Sequence, residues 1–368
     1  MKIVHLAPDE KFVPLVQTLF EEAFPGRNTY LVPRPRSGSL KYVADLTNVL
    51  LRRSIYFRLA RWISVQVRSA DLLVVHGMTS LFAKALRAVR PDCVVVWVGW
   101  GFDYYRLLED RLGGLLLDQT ARLEPEVTRR SRDRPGPRKP LPIVSVAARI
   151  DAFSVNPSEV DLLRAVLPDL RATYHALPSF TVEDIFDRGP PAMSGPDILV
   201  GNSASLSNNH LEAFDMLLPL VGGDRRLVVP LSYGNTRYAE RVAQAGVERF
   251  AERFVALRTW MPIEAYNEQM RSCGFVVMNH RRQKAVGTIG AALYKGAKVF
   301  LRPENPLFGF YAGLGAVIHS TEALADGDPQ ALVPLPDADR QRNREVIHAR
   351  WGRPSVVTAI RRLASYRR

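Results

Sequence analysis

The chain has 368 residues, a hydrophobic fraction of 47% and a formal net charge of +13. That length suits two domains of ordinary size, and the charge points to an anionic partner. No uninterrupted apolar run is long enough to span a bilayer, and nothing resembles a recognition helix, a zinc finger or an aromatic RNA-binding sheet, so nucleic acid is not expected.

The N-terminal MKIVHLAP is too short in its apolar part for a signal peptide and reads as a first strand. Short β-like runs then alternate with helical patterns, the mark of parallel sheets covered by helices on both faces. In the first half the expected strands are Ile3–Leu6, Thr29–Val32, Leu72–Val75, Val94–Val98 and Ile143–Val146. Helices are expected over Lys11–Ala23, Ala44–Arg68, Leu81–Val89 and Leu107–Thr120. Cys93 and Cys273 lie in apolar, strand-like surroundings and read as buried thiols, which fits a reducing cytoplasm.

The Pro-, Gly- and Asp-rich stretch around residues 179–196 is the candidate linker. It separates a first domain, 1–178, from a second, 197–336, whose expected strands are Ile198–Val200, Leu227–Val229, Phe275–Met278, Val299–Leu301 and Ala316–Ile318. Helices are expected over Asn209–Leu218, Thr236–Ala245, Pro262–Cys273 and Gly287–Lys295, and residues 337–368 form a helical segment able to pack back on the first domain. The simplest architecture is α/β, with two doubly wound domains facing each other across a cleft. In such sheets ligands sit beyond the carboxyl ends of the strands.

Two arginine-rich regions stand out. Thr47–Ser69 mixes five arginines with aromatic and aliphatic residues, so it suits an anionic membrane surface as well as it suits an ordinary surface helix. Thr128–Lys139 mixes arginine with proline and glycine and reads as a solvated loop.

The candidate chemistry follows the strands. At Arg281–Leu307 a basic turn runs through Gly287-Thr288 into a small-residue helix, whose free N–H groups and positive dipole end suit a diphosphate. Arg281, Arg282 and Lys284 would stabilise the charge of a departing diphosphate. Gly201, Asn202 and Ser203 form a polar turn able to present N–H and side-chain donors, and Tyr233 follows another strand. Glu304 and Asn305 could accept hydrogen bonds from a ribose, although Asn305 could instead cap the next helix.

In the first half, Trp100, Tyr104 and Tyr105 suit stacking on a sugar, and Asp103 among them is the preferred general base. His76 is the second candidate base; a lone histidine is more often a structural hydrogen bonder. There is no phosphate loop of the G-x-x-x-x-G-K-[ST] kind, no G-x-G-x-x-G after the first strand and no G-x-S-x-G elbow. No ligand-spaced cluster implies a metal or any other cofactor.

Five segments, VVHG (74–77), WGFDYY (100–105), ILVGNSASLSNNH (198–210), VVPLSYGN (228–235) and VGTIGAALYKGAKVFLRPENPLF (286–308), resemble the bacterial glycosyltransferase family 56 in family order. The chain departs from the family's patterns at Phe102 and Tyr104, and at Ala285, which stands where the family has glycine. The resemblance implies a GT-B fold of two Rossmann-like domains and metal-independent transfer. It implies a dTDP-linked 6-deoxyamino sugar (Fuc4NAc) as donor and an undecaprenyl-diphosphate-linked saccharide as acceptor. It also implies a peripheral place on the cytoplasmic face of the inner membrane, in surface-polysaccharide synthesis. The other readings are a GT-B epimerase or phosphorylase acting on sugar nucleotides, and a non-catalytic scaffold of polysaccharide assembly at the membrane.

Overall fold

A computed structural model describes residues 1–33, 40–43, 48–52, 56–109, 111–128, 140–186, 192–259 and 261–366. Parts of the arginine-rich Thr47–Ser69 region, residues 129–139 of the second one, and 187–191 of the candidate linker lie outside the described residues. The chain divides into two compact units. The first comprises Met1–Arg111, Arg138–Thr181 and Trp351–Arg368; the second comprises Leu112–Pro137 and Val182–Arg350.

The first unit is built on strands β1 (Ile3–Leu6), β2 (Asn28–Pro33), β3 (Val49–Arg52), β4 (Leu72–His76), β5 (Val94–Val98), β6 (Ala152–Ser154) and β7 (Thr173–Tyr174). They form one sheet in the order β3-β2-β1-β4-β5-β6-β7, and every pairing is parallel. The strand order reverses between β1 and β4. Helices α1 (Val13–Ala23), α2 (Tyr56–Val67), α3 (Ser80–Leu86) and α4 (Tyr105–Leu108) belong to this unit. β1, β4 and β5 are buried along their whole length, as parallel strands covered on both faces must be.

The second unit carries β8 (Ile198–Val200), β9 (Leu227–Pro230), β10 (Phe254–Leu257), β11 (Phe275–Met278), β12 (Lys298–Leu301) and β13 (His319–Ser320). Their order is β10-β9-β8-β11-β12-β13, again parallel throughout and reversing between the first strand of the unit and its fourth. Its core joins Phe214, Phe250, Phe254 and Phe275 to the aliphatic strand residues. The fold is α/β with two parallel, helix-covered sheets of Rossmann-like order.

Several expected elements differ. Ile143–Val146 is a 3-10 turn (Pro142–Ser145), and the strand of that region is β6. The expected helix over Ala44–Arg68 splits into β3 and α2. The one expected over Leu107–Thr120 is instead α4 and α5 (Asp118–Thr128). α5 clusters with the second unit, although the sequence puts it in the first domain's range. Polar and apolar contacts both hold it there: Thr120 donates from its backbone N and its Oγ1 to the Glu212 carboxylate, Leu117 N just before the helix donates to Asn209 Oδ1 at 2.9 Å, and Val127 and Leu123 pack into the core of the second unit.

The remaining helices are α6 (Val160–Val166), α7 (His210–Leu217), α8 (Thr236–Phe250), α9 (Ile263–Arg271), α10 (Val286–Tyr294), α11 (Pro306–Gly313), α12 (Glu322–Ala325), α13 (Asp337–Trp351) and α14 (Arg353–Arg361). Gly352 and Pro354 divide the last helical segment in two. α14 lies in the first unit, where His175 Nε2 donates to Ala359 O at 2.8 Å and Arg353 pairs with Glu22 of α1.

Candidate active site

In the second unit, polar groups gather at the carboxyl ends of β8 and β11, beside the reversal of strand order. Asn208 organises them. Its Nδ2 donates to Ser203 O (2.8 Å) and Ser205 O (3.0 Å), so its Oδ1 is an acceptor. That oxygen accepts from Asn202 N at 3.1 Å and from His280 Nε2 at 2.7 Å. His280 therefore carries its proton on Nε2 and turns a lone pair at Nδ1 towards no protein donor. Gly201 is held at φ +69, and a Cβ there would lie 2.7 Å from His210 Nε2 and 2.9 Å from Asn208 Oδ1. No residue with a side chain fits.

Helix α10 begins next to this turn. Its N-cap is Ala285 at φ 58, the left-handed region, and no side chain caps it. The N–H groups of its first turn, Val286 to Thr288, therefore have no partner within the helix. Around Gly287 the space is open: a Cβ added there would meet nothing within 4 Å.

Lys284 precedes the helix, half-buried, with its Nζ 3.4 Å from Ser207 Oγ. Burial and the neighbouring Arg282 push its amine down to about 7. Burial, Lys284, His210 and Arg282 likewise hold His280 well below the usual histidine range. Arg281 Nη1 donates to Gly113 O at 2.9 Å. Positive charge, a helix N-terminus and open space thus meet in one place, and an incoming anion would relieve the repulsion among the cations.

The structure revises individual expectations here. The Gly201 and Asn202 N–H groups are engaged by Val277 O and Asn208 Oδ1, so neither is left for a phosphate. Ser203 is buried. Tyr233 is 59% exposed and its hydroxyl accepts from Asn202 Nδ2 at 3.1 Å. Asn305 is buried and serves as the cap of α11: Oδ1 accepts from Leu307 N and Nδ2 donates to His280 O. It is not available to a ribose. Glu304 is exposed and bridged to Arg302 at 2.7 Å. Sequence reasoning passed over His280 and His210. A histidine two residues past a buried strand, as in Met278-Asn279-His280, is the local signal that could have found His280.

In the first unit the candidates collect at the carboxyl ends of β4 and β5. Asp103 is 1% exposed, and its carboxylate accepts from Met78 N (2.7 Å), Trp97 Nε1 (2.8 Å) and Trp100 N (3.0 Å), as well as from its own backbone N–H. Burial still raises its pKa against those four hydrogen bonds. Both oxygens are engaged, so Asp103 joins the loop after β4 to the loop after β5 and presents nothing to a substrate. The general-base expectation for Asp103 is corrected on that ground.

Tyr104 and Tyr105 are also buried, the former donating its hydroxyl to Glu159, so neither offers a stacking face. Trp100 is half-buried, and the aromatic that reaches solvent is Phe102, 59% exposed, with its ring over Gly77. His76 is 1% exposed; its Nε2 lies 3.1 Å from His5 Nδ1, its ring 6.0 Å from that of Trp100, and its Nδ1 has no partner. Cys93 and Cys273 are buried free thiols pushed up to about 11 and about 12. Among the described residues, no group of three or more His, Cys, Asp or Glu is placed to hold a metal ion, and no helix is long and apolar enough to cross a membrane.

Comparison with known proteins bears on the family and the fold. Residues 186–313, which include the Asn208 turn and α10, match the family described as 4-alpha-L-fucosyltransferase, glycosyl transferase group 56. This is the family that the five motifs resemble. Among solved structures, Anabaena HepE in complex with UDP and glucose aligns with a TM-score of 0.64 at 12% identity, over 99% of this chain and 98% of that one. The E. coli trehalose-6-phosphate protein bound with UDP-2-fluoro glucose aligns with a TM-score of 0.66 at 10% identity, over 100% of both. AviGT4, a glycosyltransferase involved in avilamycin A biosynthesis, aligns with a TM-score of 0.54 at 12% identity, over 99% and 98%. The fold is GT-B, and the chain is a glycosyltransferase.

Proposed function

We propose that this glycosyltransferase of group 56 moves a 6-deoxyamino sugar from a dTDP donor to an undecaprenyl-diphosphate-linked saccharide, at the cytoplasmic face of the bacterial inner membrane. The observation that carries the donor half is Lys284. It is a half-buried amine pushed down to about 7 beside Arg282, with no carboxylate among the groups that shift it, at the open N-terminus of α10. Such a cluster is destabilised while empty and is suited to a doubly charged diphosphate.

In this reading Lys284, Arg282 and the N–H groups of Gly287 and Thr288 hold the diphosphate. They stabilise the negative charge that it gains as the bond to the anomeric carbon breaks. Tyr233 offers its exposed ring, Asn202 and Ser203 support it, and Glu304 lies towards the ribose. The first unit takes the acceptor, with Trp100 and the exposed Phe102 as its aromatic contacts. The sugar class is supported by the matched family's description as a fucosyltransferase, since fucose is a 6-deoxy sugar. The membrane-bound acceptor is supported by the net charge of +13 and the arginine-rich segments, which suit anionic lipid.

A thermal-shift series with dTDP, UDP, GDP and ADP tests the donor. Saturation to about a hundredfold the dissociation constant stabilises by about 2.7 kcal/mol, and dTDP is expected to give the largest shift. No shift with any nucleoside diphosphate would overturn the donor reading and favour a scaffold. Sugar transfer is then followed in anionic vesicles carrying the lipid-linked acceptor. Turnover of the sugar nucleotide without any acceptor would point to an epimerase or phosphorylase.

A further inference from the structure

Resting on the transferase reading, we propose that His76 Nδ1 and Trp100 Nε1 together clasp the acceptor hydroxyl, and that His5 and Asn28 fix His76 in the tautomer this needs. Asn28 sets the direction. Its Nδ2 donates to Phe20 O (3.2 Å), Glu21 Oε1 (3.0 Å) and Phe24 O (2.9 Å), which makes its Oδ1 an acceptor. His5 Nε2, 3.2 Å away, therefore carries a proton and donates to it. The other nitrogen of His5, Nδ1, is then a lone pair, and it accepts from His76 Nε2–H at 3.1 Å. By the same logic His76 Nδ1 is left as a lone pair.

Among the described residues that buried lone pair has no partner, and neither has the indole N–H of Trp100, whose ring centroid is 6.0 Å from that of His76. A buried acceptor and a buried donor left unpaired on two neighbouring rings cost free energy unless something satisfies both. A hydroxyl is the group that does so, donating to Nδ1 while accepting from Nε1–H. The two residues lie at the carboxyl ends of the central strands of the first sheet, beside the reversal of strand order at β1 and β4, where ligands of such sheets bind. Phe102, exposed and seated over Gly77, is the neighbouring side chain placed to yield on entry.

The step balances simply. The hydroxyl oxygen bonds to the anomeric carbon and its proton passes to His76 Nδ1. The bond from the anomeric carbon to the diphosphate oxygen breaks, and its electron pair leaves with the diphosphate. Burial lowers the His76 pKa to about 3, so the ring is neutral at physiological pH and its lone pair is free. A base that weak suffices when transfer is late, because an oxygen already bonded to the anomeric carbon is strongly acidic. His5 and Asn28 touch no substrate and act as positioning residues.

Kinetics on the full-length protein test this. His76→Gln keeps an acceptor atom near the hydroxyl but cannot take a proton. It should lose roughly 10²- to 10⁴-fold in kcat, with acceptor KM and dTDP affinity little changed. Trp100→Phe should raise acceptor KM more than it lowers kcat. His5→Leu removes the acceptor for His76 Nε2–H and should lower kcat. His5→Gln can accept from His76 and donate to Asn28, and should recover most of that loss, which a purely structural role for His5 would not predict. Wild-type turnover in His76→Gln, or equal turnover in His5→Leu and His5→Gln, overturns the proposal. Absence of binding to any nucleoside diphosphate in the unaltered protein would instead overturn the transferase reading on which it rests.

Discussion

Asn208 Oδ1 accepts a 2.7 Å hydrogen bond from His280 Nε2, which ties the turn after β8 to the end of β11 in the second unit. The same oxygen accepts from Asn202 N, while Nδ2 donates to two backbone carbonyls. One amide therefore sets both the turn and the tautomer of the histidine. Asn208→Asp would turn a carboxylate oxygen towards Ser203 O and Ser205 O and place a negative charge beside the anion site. We expect it to destabilise the protein by about 2–4 kcal/mol, since buried donors and acceptors are left unpaired, and to weaken dTDP binding by more than about tenfold. Urea denaturation and calorimetry measure the two effects, and an unchanged affinity would remove Asn208 from the site.

Lys284 predicts a proton uptake. Its folded pKa of about 7 lies below its unfolded value, so a substantial fraction of the amine is neutral near neutral pH. A bound diphosphate favours the ammonium form and raises that pKa. Binding of dTDP at pH 8 should therefore take up protons, and affinity should fall as pH rises from 7 to 9. Calorimetry in buffers of different ionisation enthalpy reads the uptake directly. Lys284→Met should abolish it.

Asp103 predicts a loss of stability rather than of chemistry. Asp103→Asn sets an amide NH2 against N–H donors from Met78, Trp97 and Trp100. About 2–4 kcal/mol should be lost, in the range of buried polar groups left unpaired, with dTDP affinity unchanged. A variant of full thermal stability but abolished turnover would restore Asp103 as a direct participant.

Ala285 predicts an inverted glycine effect. Ala to Gly at an ordinary helical position costs about 1 kcal/mol, but Ala285 is held at φ 58. The left-handed conformation costs a residue with a Cβ roughly 1–2 kcal/mol, and the looser unfolded chain of the glycine variant offsets only part of that. Ala285→Gly should thus be neutral or stabilising by up to about 1 kcal/mol, and Ala285→Val destabilising. Thermal denaturation compares the three proteins.

Acid should destabilise the fold. Burial holds His5 and His280 well below their ordinary value and pushes His76 and His210 down to about 3. Each binds protons more weakly folded than unfolded, so its contribution is complete above the unfolded pKa near 6.5 and is lost as pH falls through the window down to the folded value. Each such histidine contributes up to about 1.4 kcal/mol per pH unit in that window. Melting temperatures at pH 7.5, 6 and 5 should fall in that order; a flat series would contradict the burial.

The sequence alone determined the strands that matter most. β1, β5, β8 and β11 read correctly because continuous apolar runs bounded by turn residues have few other uses in an α/β chain. It also located the open N-terminus of α10 with its flanking cations, since both are encoded within a dozen consecutive residues. β6 (Ala-Phe-Ser) and β13 (His-Ser) were not legible, because neither holds the continuous apolar run that marks a strand as short as β8.

What only the tertiary structure decided is which polar side chains are already engaged. Asp103, Tyr104 and Asn305 look like ligand contacts in the linear chain, and the fold gives each a buried partner. His5 looks like a strand residue until β1 is laid beside β4, which brings it against His76 across 71 positions of sequence. His280 meets Asn208 across 72. Backbone periodicity is a local property and survives in the sequence. Hydrogen-bond partnership between distant strand ends depends on sheet order, and it is sheet order that left His76 Nδ1 and Trp100 Nε1 buried without partners while closing every donor around Asp103.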